Sequence, residues 1–218
     1  MRKPFNRQIL AWACYDWANS AFATVVMAGF FPLFFKQYWS ADLSVTESTF
    51  HLSVANSLAG LLIVLIAPVL GAIADVGGLR KRLLFIFAAL GIVMTAGLYS
   101  VAQGQWLLAL ICFVFSVLGF MGSVVFYDSL ILSVAKEDDL DLVSAFGFGM
   151  GYLGGGLLFA FDVAMTLWPE VFGLSDAAEA VRVSFLTVAI WWTLFSIPLF
   201  IWVPEKESSR LQTGVIVM

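Results

Sequence analysis

The sequence predicts an all-α polytopic membrane protein with six transmembrane helices. Two observations predict it. Hydrophobic residues make up 61% of the 218 and charged residues only 12%, where soluble domains carry about 25% charged. The apolar residues also come in long blocks, each near or above the ~20 residues that a helix needs to cross a bilayer. A soluble core could not absorb so many blocks, because too little polar surface would remain to cover them.

The runs fall at about 9–37, 50–74, 82–102, 105–134, 142–168 and 183–203. The first follows a basic start, Arg2, Lys3 and Arg7. It is too long for a cleaved leader, carries Asp16 and lacks a small-residue cleavage site, so it is expected to stay as its own insertion signal. "QYWSADLSVTEST" leads to the second run, which closes on "GAIADVGGLRKR". The third ends in the tight turn "AQGQ", the fourth in "AKEDDLD" and the fifth in "PEVFGLSDAAEAVR". Residues 1–204 thus form one six-helix bundle, and 205–218 read as the start of a cytoplasmic linker. Tyr38, Trp39, Trp106, Trp168 and Trp202 sit at run ends, where aromatic rings favour the headgroup level.

Lys and Arg set the orientation. With the N-terminus inside, nine lie on the cytoplasmic side (Arg2, Lys3, Arg7, Arg80, Lys81, Arg82, Lys136, Lys206, Arg210) and two outside, Lys36 and Arg182. That is a positive-inside bias with both ends cytoplasmic. No basic stripe is present, so nucleic acid is not an expected partner. Cys14 and Cys112 lie in apolar runs and read as small hydrophobes. His51 is the only histidine, and neither a metal nor a cofactor is expected.

Three carboxylates lie within spans: Asp16, Asp128 and Asp162. An aspartate at the centre of a spanning helix costs about 2.5–3.5 kcal/mol on insertion scales, so such a group is protonated, hydrated or paired. Asp16 is about 10 Å from the start of its helix. Asp162, about one and a half turns from Trp168, is expected to reach water. Asp16, Asn19, Ser20 and Ala23 share one small, polar helix face. Helix–helix hydrogen bonding explains Asn19 and Ser20 as well as solute contact does, and it is the default for Asn56. The dipeptide Tyr-Asp occurs twice, at Tyr15-Asp16 and Tyr127-Asp128, at similar depth on antiparallel helices. Facing one cavity, the acids would sense each other's charge, which suits a proton-carrying site.

Gly71, Asp75, Gly78 and Arg80 fit G-x-x-x-D-x-x-G-x-R in the basic turn after the second helix. Gly147, Gly151 and Gly155 form a G-x-x-x-G-x-x-x-G ladder, which lets another helix approach closely. The ladder is no phosphate loop, since it lies within an apolar span without a preceding strand.

Six spans, an inside start and "GAIADVGGLRKR" together resemble the N-terminal half of a major facilitator superfamily transporter. The match at Gly71, Ala74, Asp75, Gly78 and Arg80 departs at Val76 and Leu79, where basic residues are usual. "YDWANSAFATVVMAGFFPLFF" resembles the first helix of the vacuole-effluxer-like branch, relatives of the autophagy-related vacuolar amino-acid permease. The resemblance implies two inverted three-helix repeats per bundle, two bundles around a midplane cavity, and alternating access. It places Asp16, Asn19, Tyr127 and Asp128, with Asn56 as a further candidate, on the solute or proton pathway. It gives Gly71, Asp75, Gly78 and Arg80 to a cytoplasmic gate.

The implied function is secondary active export of amino acids or similar small solutes, with proton coupling as an added expectation, across a bacterial inner (plasma) membrane. The chain covers half of the family's length, so its partners are the lipid bilayer, a small solute, and a missing C-terminal half or a second copy. The alternative is a non-transporting assembly or regulatory subunit. No enzyme is expected: neither Asp16 nor Asp128 sits in a protease-like G-x-G-D setting.

Overall fold

The computed structural model describes residues 6–205, with the backbone alone over 73–77. Six helices are long and apolar enough to span a membrane, and no strand occurs among the described residues. They are α1 (Arg7–Trp39), α2 (Val45–Gly77), α3 (Arg80–Ser100), α4 (Trp106–Val134), α5 (Leu140–Leu167) and α6 (Ala177–Trp202).

Local chemistry sets where the helices start. Asn6 caps α1 by accepting from the Ile9 N–H at 2.9 Å. α2 and α6 begin five or six residues before their apolar runs. The reason is a reciprocal cap at each start. The Ser44 N–H donates to Glu47 Oε2 at 3.0 Å, and the Glu47 N–H returns to Ser44 Oγ at 3.3 Å. At α6 the Glu179 N–H donates to Asp176 Oδ1 at 2.8 Å, and the Ser175 N–H to Glu179 Oε2 at 2.7 Å. Capping satisfies backbone donors that hydropathy does not register.

α1 changes its winding along its length. It is α-helical over Arg7–Ala21, then π-helical over Phe22–Phe30 and Phe35–Trp39, with Phe31–Phe34 α-helical between. Pro32 has no N–H to donate, which favours a departure from the regular ladder nearby. The wider winding starts two residues after Ser20 and includes Thr24. It turns Phe22 onto Phe120 and Phe31 onto Phe113, with ring centroids 5.4 and 3.9 Å apart.

Packing follows a simple exchange. α1 packs against α5 and α6, α4 packs against α2 and α3, and α3 meets α6. Swapping the first three helices for the last three leaves this pattern unchanged, which is the arrangement of inverted three-helix repeats. α1 and α4 are therefore the central helices. α2 lies at the edge, with Val64 68% and Leu65 63% exposed, a surface suited to an apolar environment.

At the basic end, Lys81 Nζ donates to the Phe200 and Val203 carbonyls at 2.8 and 2.9 Å. Glu205 in turn accepts from the Arg80 N–H. Side chains thus satisfy both helix ends: Lys81 of α3 serves the last carbonyls of α6, and Glu205 after α6 serves the first N–H of α3. Arg7 lies 3.9 Å over the Trp202 ring. At the opposite end, Trp39, at a run end, packs inward. It is fully buried, donates to the Val101 carbonyl at 3.2 Å and stacks on Phe185.

Candidate functional site

α1, α4 and α5 line an open cavity of about 470 Å³. Asp16, Asn19, Tyr127 and Asp128 all line it. Helical spacing explains the α1 wall, since Asp16, Ser20 and Thr24 recur every fourth residue. The Ser20 hydroxyl donates to Asp16 Oδ1 at 3.2 Å, and the Thr24 hydroxyl donates to the Ser20 carbonyl at 2.8 Å. Asn19 is 1% exposed, and its Oδ1 has no donor among the described residues.

Tyr127 holds α4 to α1. Its ring stacks on Trp12 with centroids 4.5 Å apart, and its carbonyl accepts the Trp12 indole N–H at 3.1 Å. Tyr15 packs against the same ring at 5.1 Å. The second Tyr-Asp pair therefore sits beside the first, and Asp16 and Asp128 line the same cavity. Asp128 is exposed and Asp16 half-buried.

The glycine ladder of α5 meets this same polar face. A Cβ at Gly151 would lie 2.6 Å from Ser20 Oγ and 3.1 Å from the Asp16 carboxyl carbon. At Gly155 it would lie 2.6 Å from Thr24 Oγ1, and at Gly147 2.7 Å from the Trp12 ring. Only hydrogen fits between α5 and the polar stripe of α1 at these distances. Gly154, outside the sequence ladder, is as tight: its Cβ would lie 2.5 Å from the Trp17 carbonyl.

Other candidates lie elsewhere. Asn56 is exposed on α2 and donates to its own Leu52 carbonyl at 3.0 Å, away from the cavity. In the turn after α2, Gly78 adopts φ +61°, a left-handed conformation that favours glycine. A Cβ at Gly71 would meet nothing within 4 Å. The backbone of Arg80 is held by Glu205. The Asp75 side chain is outside the described residues. Among those described, no three His, Cys, Asp or Glu side chains gather as metal ligands.

Asp162 departs from its expected access to water: it is fully buried. Thr187 of α6 donates to its Oδ1 at 2.8 Å, and Oδ2 has no partner among the described residues. The signal missed in the sequence was Thr187, which only packing brings opposite. Thr187→Val should lower stability by about 0.5–2 kcal/mol by leaving the buried carboxyl without its donor. Asp162→Asn, which keeps an acceptor, should cost less. Thermal unfolding in detergent would measure both, and an unchanged Thr187→Val midpoint would show that the bond contributes nothing.

Comparison with known proteins adds a family to this geometry. A family model described as "Vacuole effluxer Atg22 like" matches residues 41–218. The uncharacterized MFS-type transporter YxiO of Bacillus subtilis (strain 168) is 34% identical over 219 residues, covering 100% of this chain and 51% of its own length. An uncharacterized protein of Aquifex aeolicus (strain VF5) is 27% identical over 165 residues, covering 76% of this chain and 40% of its own. The chain spans about half the length of the curated relatives it matches. Asp16 and Asn19 precede the residues matched by the family model but lie within the YxiO alignment. No solved structure matches.

Proposed function

The chain belongs to the vacuole effluxer Atg22-like family, and from that membership we propose that it is the N-terminal six-helix half of a secondary active transporter. It works with a second six-helix bundle, and the two move a small solute by alternating access. The observation that carries this reading is the cavity between α1, α4 and α5, with Asp16 and Asp128 on its wall. Carboxylates inside a membrane are costly, so they mark solute and proton pathways.

The family's description as an effluxer supports export, and an amino acid or similar solute is the substrate class proposed. Asp16 and Asp128, with Asn19 and Tyr127 around them, exchange a proton as the cavity changes sides. Gly71, Asp75, Gly78 and Arg80 belong to a cytoplasmic gate, and Gly147, Gly151 and Gly155 form the close surface on which α5 meets α1. Both termini are cytoplasmic, by the excess of Lys and Arg at that end, and the bacterial relatives favour a plasma membrane.

Reconstitution tests the reading. The chain alone in proteoliposomes should give no counterflow of labelled amino acids. Together with the C-terminal six-helix half of a full-length relative, it should. Flux by the chain alone, with crosslinks between copies, would mean that two copies form the transporter. A folded two-bundle complex that moves no solute would overturn the transport reading in favour of a non-transporting assembly subunit.

A further inference from the structure

We infer that the cavity recognises its solute by a protonated amine, held between Asp16 and Asp128 with the solute's apolar body against Phe148 and Tyr152. This rests on the transport reading and names the chemistry that its site selects.

The first argument is charge. Asp16 and Asp128 line the cavity, and its lining residues include no Lys, Arg or His. A solute carboxylate or phosphate would enter against two acids with no cation among the lining residues to meet it. An amine brings the opposite charge.

The second argument is the direction of the hydrogen bonds. The Ser20 and Thr24 protons are donated within α1, and the Trp12 indole N–H is donated to the Tyr127 carbonyl. Ser20 and Thr24 thus turn lone pairs to the wall, while the Tyr127 hydroxyl, able to donate or accept, has no partner among the described residues. Asn19 lines the cavity and is 1% exposed, and its buried Oδ1 has no donor among the described residues. A buried acceptor without a donor carries a desolvation cost that an incoming N–H removes. An ammonium has three donors and no acceptor, the complement of such a wall.

The third argument is the opposite wall. Phe148 is 64% and Tyr152 80% exposed, and both line the cavity from α5. Aromatic faces attract an ammonium and take up an apolar body. A bare metal ion would use neither ring and would need about six oxygen ligands.

The test uses the full chain in lipid nanodiscs and three probes with one apolar body: phenylalaninamide (cation), N-acetylphenylalanine (anion) and N-acetylphenylalaninamide (neutral). Calorimetry should show the cation binding at least about tenfold more tightly than either of the others, the scale of one close charge contact. Asp16→Asn and Asp128→Asn should each weaken it about tenfold while their thermal unfolding matches the parent. The inference is overturned if the anion or the neutral probe binds equally well, if both variants bind the cation as the parent does, or if no probe binds. Solute flux by the two-bundle complex separates the two readings. Flux that phenylalaninamide fails to inhibit sinks the amine and leaves transport standing. Binding of the cation without flux of any solute does the reverse.

Discussion

Gly119→Ala is expected to destabilise the bundle by about 2–3 kcal/mol, and Gly119→Leu to leave no folded monomer. At this position α3 and α4 touch backbone to backbone. A Cβ on Gly119 would lie 2.6 Å from Gly91 Cα and 2.6 Å from the Phe87 carbonyl oxygen. Neither atom belongs to a side chain that could rotate away, so the two helices must separate. Alanine improves helix propensity over glycine by about 0.8–1 kcal/mol, which acts in the opposite direction and is the smaller effect. Gly149 and Gly156 provide the control, since a Cβ at either meets nothing within 4 Å. Their alanine variants should keep the parent's thermal midpoint or raise it. Equal midpoints for Gly119→Ala and Gly149→Ala would refute the close contact.

The second large effect concerns transport. In the complete two-bundle protein, Asp16→Asn should abolish accumulation driven by a pH gradient. Asparagine keeps the shape of the side chain and can still accept from Ser20, so the fold should survive. What it loses is a group that takes up and releases a proton. The groups facing Asp16 are Asp128 and Tyr127 from α4, Ser20 on its own helix and the Gly151 backbone from α5. None is a cation that could stand in for the proton. Acidification protonates the carboxylates and removes the charge that holds an amine, so amine binding should weaken as pH falls. Asp16→Asn should flatten that dependence. Gradient-driven uptake by the variant at the parent's rate would remove Asp16 from the proton pathway.

Much of the site was legible in the sequence because its logic is local. Helical spacing put Asp16, Asn19 and Ser20 on one face, and the repeated Tyr-Asp placed two acids at one depth. The glycine ladder was legible as a close surface, but not which helix it meets. The structure sets Gly151 and Gly155 against Ser20 and Thr24, so the ladder and the polar stripe are two sides of one interface. Gly91 and Gly119 escaped notice because they come from different helices and form no spaced repeat. Asn56 shows the converse: a polar residue in a span, it bonds to its own helix.

The sequence by itself determined six spans and the residue content of each, because crossing a bilayer is settled within a single helix by length, hydropathy and its own backbone hydrogen bonds. Only the tertiary structure decided which face of each helix turns inward. Lipid and protein interior are both apolar, so hydropathy does not tell one face from the other. Helix rotation is fixed instead by close packing and a few polar contacts. Those contacts brought Asp128 and Asp16 to one cavity, closed Asp162 under Thr187 and left the Asn19 oxygen buried without a donor among the described residues.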